Sequence, residues 1–322
     1  MMPAERDDWI VEIIGVQRGT DDVFLLLNRY LGGDAMDAEG EILRADVARG
    51  GAYDSALSTN DALASIWVGE SGSVWSASAN GNVVTTAPVN FPDPAAPDFV
   101  SEVVDADRYQ WRSTRLPDLR RQGYVPNVTA IWGLTDDFVI AVTYEGTIYM
   151  WDGSAWSQHL TENEQILTAV HGRAREDVYA VGAHGHVFHF DGSAWTQIPY
   201  PGDGGESVLL TDLRVSETGE ATIVATSGKI LHGTRHGLEI LVESGVEFHG
   251  IVPFQDHHLV SGGRDGVWSL KGNRVEQFME GALVGGWDFD AGAAFVEPVQ
   301  EDGPSFVSFE PELDPPWWRT TI

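Results

Sequence analysis

The chain has 322 residues, with 49 acidic against 19 basic side chains, a formal net charge of −30 and no cysteine. Such a charge repels phosphate backbones and anionic membranes, so nucleic-acid and membrane-surface binding are excluded unless one face is locally basic. The missing cysteines exclude a disulfide framework, Cys-ligated zinc, iron–sulfur clusters and a thiol nucleophile.

A hydrophobic fraction of 43%, with 12 Trp, 8 Tyr and 13 Phe, is enough for a sizeable core. Residues 1–12 are polar and of mixed charge, and no 18-residue apolar run follows anywhere, so the sequence predicts a cytoplasmic protein without a membrane span. Only Lys229 and Lys271 stand beside 17 Arg, a composition that salt adaptation or GC-rich coding also produces.

Two stretches reveal a repeat. Residues 129–158 and 168–197 lie 39 residues apart and follow one template. In each, an apolar strand ends on an aromatic-type residue and Gly (Trp132-Gly133, His171-Gly172). An apolar strand, a Gly-centred turn and a third strand follow, and Asp-Gly-Ser-Ala-Trp closes the unit at Trp156 or Trp195. Asp-Gly between strands is a strong hairpin signal, because Gly adopts positive φ at little cost and Asp bonds the turn backbone.

In chain order, residues 9–15 read as an innermost strand, and 23–27 with Gly40 and Ile42 as a loose first copy. Residues 66–69, Gly72 and 74–77 match better. Residues 88–126 hold a Pro-rich stretch that no central strand tolerates, and they read as a loop insertion. After the two sharp copies come 223–233 around Gly228, 259–270 around Gly266, and a degenerate copy at 295–306 with Gly303. Residues 318–322 share an outer-strand pattern with 111–115. The landmark glycines are 40, 72, 146, 185, 228, 266 and 303, with steps of 39, 43, 38 and 37 from Gly146 onward. About 40 residues per unit suits four short strands, so an all-β single propeller of seven four-stranded blades is expected, with six as the alternative.

Val170-His-Gly-Arg-Ala-Arg-Glu-Asp-Val-Tyr-Ala-Val-Gly182, followed by His189-Phe-Asp-Gly-Ser-Ala-Trp195, resembles bacterial β-propeller repeats of the V-W-G…D-V-(aromatic)-A-V-G…D-G…W type. The closing turns resemble the Asp-box of sialidase-like propellers, without its Ser-x-Asp start or Thr-Trp end. The resemblance is sharp over 129–197 and implies a fold; propellers host enzymes, receptors and scaffolds alike.

No nucleophile elbow, P-loop, dinucleotide fingerprint, HExxH or EF-hand loop is present, so a non-catalytic chain without cofactor is expected. The ten histidines all fall between His159 and His258, yet neither His184/His186 nor His257/His258 converges alone, and no metal site is assigned. Aligning the repeats places Trp132, His171, His249 and, as an equivalent, Arg214 at one mouth of the central channel, as packing residues or as a ligand pocket.

Two acidic regions stand apart. Residues 276–314 carry ten acids and no base, among them Asp288, Asp290, Glu297, Glu301 and Asp302. The insertion sets Phe91, Tyr109 and Trp111 among acids that include Asp93 and Asp98. Aromatic anchors within a charged surface are what protein interfaces favour. The leading expectation is a protein-binding propeller, monomeric when free, whose acidic surface captures a basic protein. Its most concrete form is a bacterial immunity protein that covers the active site of a basic toxin. The alternatives are a propeller that binds or hydrolyses a glycan or small molecule at the channel mouth, and a salt-adapted scaffold.

Overall fold

The computed structural model describes residues 9–19, 22–31, 38–46, 53–93, 95, 98–104, 108–118, 124–161, 165–203, 205–289, 292–300, 303–309 and 317–322. These residues form seven antiparallel sheets, one per blade, and a single 3-10 turn at Gly205–Ser207. Blade 1 contains Trp9–Arg18, Asp22–Leu31, Glu39–Asp46 and Asp54–Thr59. Blade 2 begins at Leu63–Val68 and blade 3 at Val128–Thr135. Blades 4 to 7 open on Leu167–Ala174, Leu210–Val215, Gly250–Phe254 and Val284–Phe289. The fold is the seven-bladed propeller that the spacing predicts.

Seven apolar clusters hold the ring, one between each pair of neighbouring blades. Successive residues of a strand point to opposite faces, and a blade is covered on both faces, so its second strand is rich in apolar residues on both. In Phe138–Thr143 every residue is buried; Ile140 and Val142 pack toward blade 4, while Val139 and Ala141 pack toward blade 2. The ring closes by the same device. Ile13, Val16 and Leu25 of blade 1 meet Ala294, Val296 and Phe306 of blade 7, and among the described residues no strand crosses from one terminal blade into the other.

The repeated closing turns are identical in detail. Asp152 Oδ1 accepts hydrogen bonds from Ser154 N at 2.8 Å and Ala155 N at 2.9 Å, and Asp191 Oδ1 accepts from Ser193 N and Ala194 N, both at 2.9 Å. Serine hydroxyl and amide donors stabilise the carboxylates, lowering the pKa of Asp152 and bringing that of Asp191 down to about 2. Each turn delivers a tryptophan to the blade interface. The ring of Trp156 lies 5.7 Å from Trp151, and Trp195 Nε1 donates to Met150 Sδ at 3.4 Å.

Three expectations are corrected. Gly72 lies in the turn between the first and second strands of blade 2, because 63–68 forms the innermost strand there; the turn equivalent to Gly146 holds Gly81 at φ 73°. Gly40 lies inside a strand, where a Cβ would stand 2.6 Å from Leu63 and from Thr59, so its value is close approach. The 88–126 stretch is more than a loop. It leaves blade 2 after its third strand, adds Val100–Val103 as a fifth strand on blade 1, and returns as Arg112–Arg115, the outer strand of blade 2. The outer-strand reading of 111–115 and 318–322 matches Arg112–Arg115 and Trp317–Thr321.

Candidate functional site

The innermost strands surround a central cavity of about 570 Å³. Two layers of side chains line it. The first is made of threonines, each at a register shift of its strand. Thr129, Thr168 and Thr211 reach the carbonyls of Leu167, Leu210 and Phe248 in the following blade, at 2.6, 2.6 and 2.9 Å. The second layer stands three residues further along. Trp132, His171 and Arg214 pair across their sheets with Ile140, Tyr179 and Thr222, and Trp67 of blade 2 pairs with Trp75 in the same way. The Trp132 and His171 rings lie 5.5 Å apart, and Trp287 of blade 7 completes the lining.

The structure thus brings Trp132, His171, Arg214 and His249 to one cavity. His249 is not equivalent to the other three, however. Phe248 accepts the Thr211 bond just as Leu210 accepts that of Thr168, so His249 stands in the threonine layer and buried Val252 takes the His171 place. The His-Gly pair misled because Gly250 opens its strand. A Cβ there would lie 2.3 Å from the Gly285 backbone.

Electrostatics in the cavity centre on Arg214. Its Nη1 lies 2.9 Å from Asp212 Oδ1, and its Nη2 donates to the Gly286 carbonyl at 3.0 Å, reaching past blade 6 to blade 7. Asp212 Oδ2 accepts from Ile251 N at 3.0 Å, tying blade 5 to blade 6. Burial raises the Asp212 pKa, against the opposing pull of Arg214 and the two backbone amides. His171 Nδ1 accepts from Val215 N at 3.2 Å. Burial and then the nearby Arg214 push the His171 pKa down to about 3, so the ring is neutral near pH 7 with its proton on Nε2.

The aromatic residues of the excursion turn inward. Phe91 packs 5.0 Å from the Trp151 ring and 6.0 Å from Trp75. Tyr109 packs 5.9 Å from Phe24 and donates its hydroxyl proton to Asp22, while Trp111 joins the cluster between blades 1 and 2. All three are half-buried and pack against neighbouring strands, so only part of each ring faces outward. Asp93 and Asp98 are exposed, and their carbonyls accept from Thr114 and Asn60. Of the late acids, Glu297 is taken up by Arg319 and Ser305. Asp288 lies in the innermost strand of blade 7. Asp290, Glu301 and Asp302 lie outside the described residues. Among the described residues, no three His, Asp or Glu side chains are grouped to hold a metal ion. No helix among them is long and apolar enough to cross a membrane.

Sequence reasoning missed Trp67, Trp287 and Asp212. Ile66-Trp67 repeats Ile131-Trp132, a signal hidden by reading 66–69 as a second strand.

No protein-family model matches the chain, and no curated protein matches it. Solved structures do. A virginiamycin B lyase from Staphylococcus aureus aligns over 81% of this chain and 84% of its own, with a TM-score of 0.60 and 11% identity. The WD40 β-propeller domain of Doa1 aligns over 88% and 93%, with a TM-score of 0.59 and 9% identity. YCF48 bound to a D1 peptide aligns over 92% and 94%, with a TM-score of 0.56 and 11% identity. At these identities the likeness is one of fold.

Proposed function

We propose that the chain is a non-catalytic binding propeller, monomeric when free, that captures a basic protein on one acidic face. The observation that carries this reading is an annulus of carboxylates. The turns between first and second strands carry exposed Glu70, Asp137, Glu176, Glu217 with Glu220, and Asp256 in blades 2 to 6 in succession. Rotation about the channel sets equivalent turns at the same end of the ring. Asp152 and Asp191, in the turns before the outer strands, join them there.

The chain's own bases neutralise this face only in part: Arg175 takes Asp137 of the annulus, while Arg29, Arg44, Arg108, Arg173 and Arg319 are held by acids outside it. With 49 acids against 19 bases, 30 carboxylates stay uncompensated even if every base takes one. Such a field speeds encounter with a cationic partner and rejects acidic ones. The YCF48 structure, described as bound to a D1 peptide, is a propeller of this shape in complex with a polypeptide. In its most concrete form the partner is a basic toxin domain, and the propeller an immunity protein that covers its active site.

The test is affinity capture from the native host at low and high salt. It compares wild type with a variant carrying Glu70→Lys, Glu176→Lys, Glu217→Lys and Asp256→Lys. A basic protein held by wild type, lost by the variant and released by salt is expected. Failure to retain any basic protein, or equal retention by the variant, overturns the reading. Protection of cells from a toxin encoded next to the gene would establish the immunity form.

A further inference from the structure

The central cavity departs from the acidic character of the rest of the molecule. In a chain of formal charge −30, its described lining holds a single carboxylate, Asp212. That carboxylate is already saturated, accepting from Arg214 Nη1, Leu213 N and Ile251 N. Among the described lining residues no other carboxylate faces the space.

The donors are in the opposite condition. The threonine hydroxyls are used between blades, but no described residue accepts from the indole N–H groups of Trp67, Trp132 and Trp287, or from the His171 Nε2–H. These four nitrogens are not among the fully buried, unpartnered side-chain atoms, and the four side chains line the cavity. The cavity therefore offers three tryptophan side chains, a set of unpaired donors and a single carboxylate that is already satisfied, within a volume typical of small-molecule sites.

We infer that the central channel is a binding site for a small, flat organic anion, an aromatic carboxylate in its simplest form. The ring stacks among Trp67, Trp132 and Trp287, and the carboxylate accepts from His171 Nε2–H and the Arg214 edge of the lining. Neutral His171 suits this role, because its backbone-fixed tautomer presents a donor without requiring a second buried charge. The site lies inside the ring and does not depend on the acidic annulus outside it.

Indole-3-acetate and tryptamine share a ring and differ in the sign of their charge, so the pair isolates the chemistry. Titrated into ¹⁵N-tryptophan-labelled wild-type protein, indole-3-acetate is expected to shift the indole N–H resonances of Trp67, Trp132 and Trp287 saturably. Tryptamine at the same concentrations leaves them in place. In His171→Leu, with its circular dichroism spectrum preserved, the apparent Kd for indole-3-acetate rises about tenfold. The annulus charge-reversal variant still binds it, which separates this site from the protein-binding reading. Equal response to both probes, or shifts confined to other tryptophans, overturns the proposal without recourse to any variant.

Discussion

Thr168 Oγ1 lies 2.6 Å from the carbonyl oxygen of Leu210 in the next blade and 3.1 Å from that of Val181 in its own. One hydroxyl thus links two sheets at the channel wall, and Thr129 and Thr211 repeat the link in the flanking blades. Apolar clusters between blades are non-directional; the threonines fix the register of one innermost strand on the next. Thr168→Val preserves the shape and removes the donor, leaving the Leu210 carbonyl without it. The expected loss is about 1 kcal/mol, and about 3 kcal/mol for the triple valine variant, read from urea unfolding at an unchanged m-value.

Gly182 marks a close contact inside blade 4, where the end of the second strand meets the chain entering the first. A Cβ there would stand 1.9 Å from the Ile166 carbonyl oxygen, and that carbonyl accepts from Ala183 N at 2.9 Å, so neither backbone can retreat alone. Gly182→Ala should cost about 2–3 kcal/mol by forced displacement. Gly245 has nothing within 4 Å of its Cβ position, and Gly245→Ala should leave the unfolding midpoint within about 1 kcal/mol of wild type.

The sharp repeats at 129–197 were legible because Asp152 and Asp191, and the glycines before the third strands, are local devices with a fixed sequence price. Blade count followed from their spacing. What was not legible is pairing at long range. The segment Val100–Val103 joins blade 1 although blade 2 contains it in sequence, and its residues carry no mark of that partner. The channel was half legible: Trp132, His171 and Arg214 were found through the repeat, while Trp67 was lost to a shift of one strand and His249 was placed three residues out of register. Asp212 looks like any of the 49 acids until the fold brings Arg214 and Ile251 N against it.

Asp22 pins the excursion to blade 1. Its buried carboxylate accepts from Arg44 at 3.2 Å, from Arg108 at 2.7 Å and from the Tyr109 hydroxyl, whose pKa burial and this carboxylate push up to about 12. Asp22→Ala removes the acceptor shared by Arg44, Arg108 and the half-buried Tyr109 hydroxyl and should cost about 2 kcal/mol, concentrated where the excursion docks. Hydrogen exchange is expected to lose protection at Val100–Val103 first, with the innermost strands of blades 3 to 5 unaffected. Uniform loss across all blades would show that Asp22 supports the ring as a whole.

His171 sets a pH dependence whose sign follows from its site. In the unfolded chain the imidazole takes up a proton near its ordinary value of 6.5, whereas in the folded channel it does so only at about 3. Between those values the unfolded state binds more protons, so stability is full above pH 6.5 and falls as the pH drops toward 3. His258, lowered to about 4 by burial and then Arg214, adds the same sign over a narrower window. Asp212, raised by burial, acts oppositely, because its folded form takes up a proton before the unfolded one does. The contribution of His171 is therefore isolated by difference. Unfolding midpoints measured from pH 7.5 to 4.5 should decline less steeply in His171→Leu than in wild type, and the two curves should run parallel above pH 7. Parallel curves across the whole range would mean that the folded channel admits the His171 proton.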